Sequence, residues 1–263
     1  MKKVAIIAPS GSIENFDDKK VITFFENKNI EAVIFPSCHS NFRYMAGDDN
    51  LRVQDIHNAF LDKTIDTIIC ARGGFGAIRL IDKIDYKIIE NNKKPFVGFS
   101  DITILLISFF KKANLTSFHA PMAVNGVINM NDFEFENYKN EIENNSFKTK
   151  LKNGILWGGN LASIVSLFGS INEDYIPDSD IILFLEDINE PDYKIDKMFH
   201  QILRNKALSS KVKGIIFGDF TGSGKYLDEI QFEFASFLDV PYEINKNIGH
   251  IKNNLILPFG KTF

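Results

Sequence analysis

The sequence has little of what would place it in several familiar classes. Only two of its 263 residues are cysteine, Cys38 and Cys70. That excludes a disulfide-stapled scaffold and suits a reducing compartment, where both are expected as core thiols. No apolar run approaches the roughly 18 residues that span a bilayer, so no membrane association is expected. Positive charge is not in excess either: the formal net charge is -4 and the pI about 5.8, without the basic footprint that neutralises phosphates, so nucleic acid is not an expected partner. Met1-Lys2-Lys3 and the following Val4-Ala5-Ile6-Ile7-Ala8 have the charge of a secretory leader but not its length, and break at Pro9-Ser10-Gly11. The expected location is therefore cytoplasmic. No His or Cys pair shows ligand spacing, so no metal site is expected. Nucleotide fingerprints are incomplete: after Gly74-Phe75-Gly76 the third glycine of G-x-G-x-x-G would fall on Arg79, and Gly222-Ser223-Gly224-Lys225 has Asp219 where a P-loop needs glycine and Tyr226 where it needs Ser or Thr.

What is present is apolar material, 44% of residues, enough for one large core or two smaller ones, with the length favouring two. Short β-branched runs at residues 4–8, 32–35, 65–70 and 95–98 alternate with helical periodicity at 16–27, 51–61 and 102–112. This pattern predicts an α/β fold with a doubly wound parallel sheet, whose chemistry gathers at the carboxyl ends of its strands. From 125 to 152 Asn, Glu and Lys dominate, as in an exposed connection, dividing a domain at 1–124 from one at 153–263. In the second, helices are expected at 161–168, 195–203 and 230–238, strands at 181–185 and 214–217, and short strands and turns over 248–259.

The most informative local feature is Val97-Gly98-Phe99-Ser100-Asp101, an apolar strand ending in a serine just before a helix. A small residue two before the serine permits the sharp turn of a nucleophile elbow, and the helix N-terminus would aim amides, that of Asp101 included, at an oxyanion. A capping serine fits the same pattern, and the second glycine of G-x-S-x-G is replaced by Ile102. Of the five histidines that could serve as base, His57 and His200 lie in charged helical stretches and His39 in a loop. His119 and His250 are left on an equal footing. Glu186, at the end of the apolar run 181–185, suits the carboxylate that orients an imidazole, although a loop or helix-start carboxylate would read the same. Arg72-Gly73-Gly74-Phe75-Gly76 can offer backbone amides at another strand end.

Taken together, Ala8-Pro9-Ser10-Gly11, Arg43-Tyr44-Met45-Ala46-Gly47, Cys70-Ala71-Arg72-Gly73-Gly74-Phe75-Gly76, the segment 95–101, Phe118-His119-Ala120-Pro121, Gly158-Gly159-Asn160-Leu161, Phe184-Leu185-Glu186-Asp187 with Asn189-Glu190-Pro191, Gly218-Asp219-Phe220 and Gly249-His250 resemble, in order, the LD-carboxypeptidases of serine peptidase family S66, or muramoyltetrapeptide carboxypeptidases. The resemblance implies a flavodoxin-like (amidotransferase-like) first domain carrying nucleophile Ser100, and a swivelling β/β/α second domain carrying Glu186 and the general base His250. It implies an oxyanion hole from the Asp101 and Gly74 amides, substrate contact from Arg72, no cofactor and a homodimer. The implied substrate is murein tetrapeptide, cut at the L-D bond before its terminal D-alanine. A relative that cleaves a peptide-nucleotide antibiotic is the alternative, for which the lone Trp157 would be the base platform. A non-catalytic ligand-binding protein is a further alternative, and a Cys70 amidotransferase a weaker one, since Cys70 sits inside an apolar strand rather than at its end.

Overall fold

The computed structural model describes residues 1–124, 126–169 and 175–263. It divides into two compact units: Met1–Phe147 with Ile256–Pro258, and Lys148–Leu255 with Phe259–Phe263. In the first, β1 (Lys3–Ile7), β2 (Glu31–Ile34), β3 (Thr67–Cys70), β4 (Phe96–Gly98) and β5 (Ser117–His119) pair in parallel in the order β2-β1-β3-β4-β5. This is the flavodoxin-like order, with its switch point between β1 and β3. β1 and β3 are buried almost without exception, as continuous β-branched runs predict for strands covered on both faces.

One face packs Val4, Ile6, Ile69 and Val97 against α1 (Asp18–Glu26) and α5 (Asp132–Asn144) through Val21, Phe25, Phe135 and Tyr138. On the other, Phe96 of β4 meets Phe60 of α2 (Asp49–Leu61) and Phe109 of α4 (Thr103–Ala113), while α3 (Tyr86–Asn91) lies between α2 and α4. Helix α5 falls inside the stretch expected to be an exposed connection, whose first residue, Asn125, lies outside the described residues. Its polar composition conceals a capping box, with Asn131 and Glu134 each accepting from the other's backbone amide, and a stripe of Phe135, Tyr138 and Ile142 that is buried. The helix thus belongs to the first core, which is why that unit runs to Phe147.

The second unit is a four-stranded parallel sheet in chain order: β6 (Ile155–Asn160), β7 (Ile181–Ile188), β8 (Val212–Thr221) and β9 (Tyr242–Ile244). Helices α6 (Leu161–Ser166), α7 (Asp192–Arg204) and α9 (Leu227–Leu238) pack in a row, with the four-residue α8 (Lys206–Ser209) ahead of β8. Strand β6 was not among the expected strands, its paired glycines Gly158-Gly159 breaking the apolar run. Gly158 has φ +150°, and a side chain there would lie 1.9 Å from the carbonyl oxygen of Phe184, so the glycine permits the close β6–β7 approach. Leu257–Phe259 forms the last strand, β10, beside β5. Among the described residues no helix is long and apolar enough to cross a membrane.

A buried ion pair holds the loops at the carboxyl ends of β1 and β3. Arg52 of α2 has no exposed surface; its Nη1 donates to the carbonyls of Pro9 (2.9 Å) and Gly76 (3.0 Å) and its Nη2 to Asp49 Oδ1 (2.6 Å). Arg79 and Lys83 also donate to Asp49, and hydrogen bonding from Arg79 foremost holds its carboxyl well below the ordinary range. Asp49→Asn leaves the Arg52 guanidinium buried without its counter-ion, and the expected loss is about 3 kcal/mol, measured by urea unfolding. A loss within 0.5 kcal/mol of zero would refute this bracing role.

Candidate active site

Ser100 follows β4 directly and starts a single 3₁₀ turn, Ser100–Ile102, that leads into α4. Its φ is +64°, in the left-handed region that an L side chain enters only at a cost of about 1–3 kcal/mol. Capping does not explain this, because an N-cap adopts extended backbone and the residue in that position ahead of the 3₁₀ turn is Phe99. Gly98 is needed for a different reason from the one in the usual elbow: a side chain there would meet Ile102 Cγ2 at 2.6 Å. The isoleucine in place of the second glycine therefore occupies the space that Gly98 leaves open. Neighbouring Asp101 is 7% exposed, and its Oδ2 accepts from the Ser10 hydroxyl (2.5 Å) and the Ala77 amide (2.9 Å). Burial raises its pKa against those hydrogen bonds, and the contacts tie the residue after Ser100 to the loops after β1 and β3.

The glycine loop after β3 closes on the serine. A side chain on Gly73 would sit 2.9 Å from Ser100 Cβ and 3.0 Å from its hydroxyl oxygen, whereas Gly74 (φ +118°) turns toward Gly11, whose Cα is 2.9 Å from the corresponding point. Gly73, passed over in the sequence, is thus the residue facing the hydroxyl, a relation that loop composition alone does not reveal. Gly73→Ala is expected to slow acylation of Ser100 by a serine-directed phosphonate about 100-fold, because displacement of a reacting group by about 1 Å costs that much. Unchanged acylation of a folded variant would show that the loop has slack.

In the second unit, Glu186 is wholly buried within β7, and its Oε2 lies 2.7 Å from His250 Nδ1, the imidazole being 17% exposed. A carboxylate at Nδ1 favours the tautomer with the proton there, leaving Nε2 as the basic nitrogen. For the His250 pKa, burial is the largest single influence and lowers it. The Glu186 hydrogen bond and charge, with Asp187 and Asp219, outweigh it, and the net shift is upward. The pairing register slips between Leu185 and Asp187: Leu185 opposes Phe217 while Asp187 opposes Phe220, leaving Gly218 and Asp219 of β8 opposite the single residue Glu186 of β7. Such bulges re-aim a side chain. Side chains on Gly218 or Gly249 (φ +133°) would approach Glu186 Cβ at 3.0 and 3.3 Å, so both glycines let the His250 loop close over the acid. That loop is hydrogen-bonded rather than loose: the Asp219 amide donates to the Ile248 carbonyl (2.6 Å), and Gly249 to Asn254 Oδ1 (2.9 Å). Asp187 points the other way, accepting from Asn160 Nδ2, Ala162 and its neighbour Ile188, with its pKa raised to about 6 chiefly by burial.

Sequence comparison places both parts of the chain in one family. The LD-carboxypeptidase N-terminal domain model matches residues 4–120 and the LD-carboxypeptidase C-terminal domain model residues 153–263. A putative carboxypeptidase of Streptomyces coelicolor is 30% identical over 275 residues, covering 98% of this chain and 88% of that protein. The chain belongs to the LD-carboxypeptidase family. A probable murein peptide carboxypeptidase of Bacillus subtilis is 28% identical over 278 residues, covering 98% of this chain and 86% of that protein. The solved muramoyltetrapeptide carboxypeptidase from Oxalobacter formigenes superposes with TM-score 0.84 at 26% identity, over 98% of this chain and 93% of that one. The microcin C7 self immunity protein MccF shares the fold, at TM-score 0.84, 20% identity and coverage of 98% of this chain and 91% of that one.

Membership makes this LD-carboxypeptidase a serine-type peptidase. Its other histidines have separate surroundings. His119 is fully buried in β5 with its ring against Phe99 (5.5 Å between centroids), and His57 Nε2 accepts the Asp85 amide. His39 and His200 are half-exposed beside Asp18 and Asp196. Arg72 donates from Nη1 to the Ser12 carbonyl (2.9 Å) and lines a cavity of the first unit. Cys38 and Cys70 are buried free thiols whose pKa values burial drives upward, so neither offers a thiolate nucleophile.

Proposed function

We propose that this LD-carboxypeptidase releases the terminal D-alanine of murein tetrapeptide by hydrolysing the preceding L-D peptide bond, with Ser100 as nucleophile, His250 as general base and Glu186 as its orienting acid. The observation that carries the proposal is the 2.7 Å contact from Glu186 to His250 Nδ1, which leaves Nε2 to accept a proton from a hydroxyl. The left-handed backbone of Ser100 supports the assignment of the nucleophile.

In this mechanism Ser100 Oγ attacks the scissile carbonyl carbon while His250 Nε2 takes the hydroxyl proton. The resulting oxyanion is held by the Asp101 amide and one from the Gly73-Gly74 loop, with Gly74 the donor suggested by resemblance. Breaking the C–N bond passes that proton to the departing D-alanine amine and leaves an ester on Ser100. Water, deprotonated by His250, then attacks the ester, and return of the proton to Ser100 frees the tripeptide. No metal or organic cofactor enters any step, and a cytoplasmic homodimer is the proposed working form.

Murein tetrapeptide incubated with the protein is expected to yield one equivalent of D-alanine, equally with and without EDTA, by chromatography of the released amino acid. Tetrapeptide left intact, with turnover of an aminoacyl sulfamoyl nucleoside instead, would transfer the triad to the antibiotic-cleaving reading. That reading looked to Trp157 as a base platform, but Trp157 is 2% exposed and packed beside Phe259.

A further inference from the structure

Resting on the assignment of Ser100 as nucleophile, we propose that the Asp101 carboxylate is a positioning residue. From a junction of three strand-end loops it holds the strained turn at Ser100 and aims both amides of the oxyanion hole, its own and that of Gly74. Ser10, in the loop after β1, is its partner and acts through it rather than on substrate.

Ser100 occupies φ +64°, and a residue with a side chain persists there only where its surroundings over-determine it. Capping does not supply that constraint, since neither Phe99 ahead of the 3₁₀ turn nor Ile102 ahead of α4 makes a side-chain cap. The next residue is the one tied down. A single oxygen of buried Asp101, Oδ2, accepts from the Ser10 hydroxyl at 2.5 Å and from the Ala77 amide at 2.9 Å. Ser10 and Ala77 have no exposed surface, so without that oxygen both donors would be buried and unsatisfied. The same two loops are gripped from their other side. Arg52 Nη1 donates to the carbonyls of Pro9 and Gly76, the residues before Ser10 and Ala77. The peptide joining Gly76 to Ala77 is thereby clamped at both ends, its carbonyl on Arg52 and its amide on Asp101. From Ser10 the constraint passes one residue along the chain to Gly11, whose amide donates to the Gly73 carbonyl at 3.0 Å. Because a peptide unit is planar, fixing the Gly73 carbonyl also fixes the direction of the Gly74 amide. One carboxylate thus sets the backbone on both sides of the oxyanion, where donor placement governs the rate.

Three variants test the acceptor. Asp101→Ala removes it and is expected to slow acylation of Ser100 by a serine-directed phosphonate about 100-fold, the effect of displacing a reacting group by about 1 Å. The same loss should appear in kcat for D-alanine release, with little change in KM. Asp101→Asn, whose carbonyl oxygen can take the place of Oδ2, should recover about tenfold or more of that loss. Ser10→Ala keeps the Ala77 bond and should lose about tenfold; it deletes a single oxygen and serves where Asp101→Ala does not fold. Urea unfolding adds a readout that a merely structural role would not move. Once the anchor is cut, serine at 100 relaxes out of the left-handed region and regains part of the lost stability, whereas glycine has no such strain to release. Ser10→Ala should therefore lower the urea midpoint less in wild-type protein than in Ser100→Gly, a departure from additivity. Equal midpoint shifts in the two backgrounds, wild-type acylation by Ser10→Ala, or an Asp101→Asn as slow as Asp101→Ala would each overturn the inference. Acylation and unfolding need no peptide, so they decide it separately from D-alanine release, whose absence in wild-type protein would end the tetrapeptide reading alone.

Discussion

Ser100→Ala is expected to lower kcat for D-alanine release by about 10⁴ to 10⁶-fold, the loss seen when one member of a cooperating triad is removed. Binding should persist, because the variant removes one oxygen and leaves the walls of the site in place. The backbone supplies a second readout. Ser100 sits at φ +64°, and alanine pays the same steric cost there, so its stability should stay within about 0.5 kcal/mol of wild type. Ser100→Gly should be equally inactive and more stable by about 1 kcal/mol, because glycine enters that region without penalty. Urea unfolding of the two variants alongside the release assay checks both statements. Full activity in Ser100→Ala would remove the nucleophile, and lower stability in Ser100→Gly would mean that the serine side chain holds the turn.

Glu186→Gln is expected to reduce kcat/KM by about 10⁴-fold, the cost of an imidazole in the wrong tautomer with its developing charge unsupported. The pH profile should move as well. A general base works as neutral imidazole, so the rate rises with pH through the pKa of His250, which the folded protein holds above 6.5. Glutamine removes the hydrogen bond and charge that raise it and keeps the burial that lowers it, so the acidic limb should shift to lower pH. The stability sign is separate: protonated His250 against Glu186 contributes fully below the unfolded value near 6.5 and the contribution is lost as pH rises through the raised folded value. An acidic limb unmoved in Glu186→Gln would assign that limb to another group.

Four strands of the first sheet were legible as short apolar runs alternating with helical periodicity, whereas β5 and β10, three residues each, are too short to register a pattern. The helix at 132–144 was not legible, since its Asn, Glu and Lys hide a three-residue apolar stripe that registers only when a core stands opposite it. Strand β6 escaped for the converse reason, its glycines being a response to the neighbouring backbone of β7 rather than to a turn. At the site, a strand, a small residue, a serine and a helix within 97–105 marked Ser100 as a candidate elbow beside an equally good capping reading, and the apolar run from 181 marked Glu186 as a candidate acid beside a loop or helix-start reading.

Between His119 and His250 the local sequence was indifferent. Tertiary structure separates them: it puts His119 in the core against Phe99, and brings His250 onto an acid 64 positions away. That contact needs a bulge at Gly218-Asp219, a glycine at 249 and a loop pinned by Asn254. The sequence by itself therefore determined the backbone preferences, which depend on residues within a few positions of each other. Only the folded chain decided which imidazole meets which carboxylate, because that proximity is set by strand register and loop closure across segments distant in sequence.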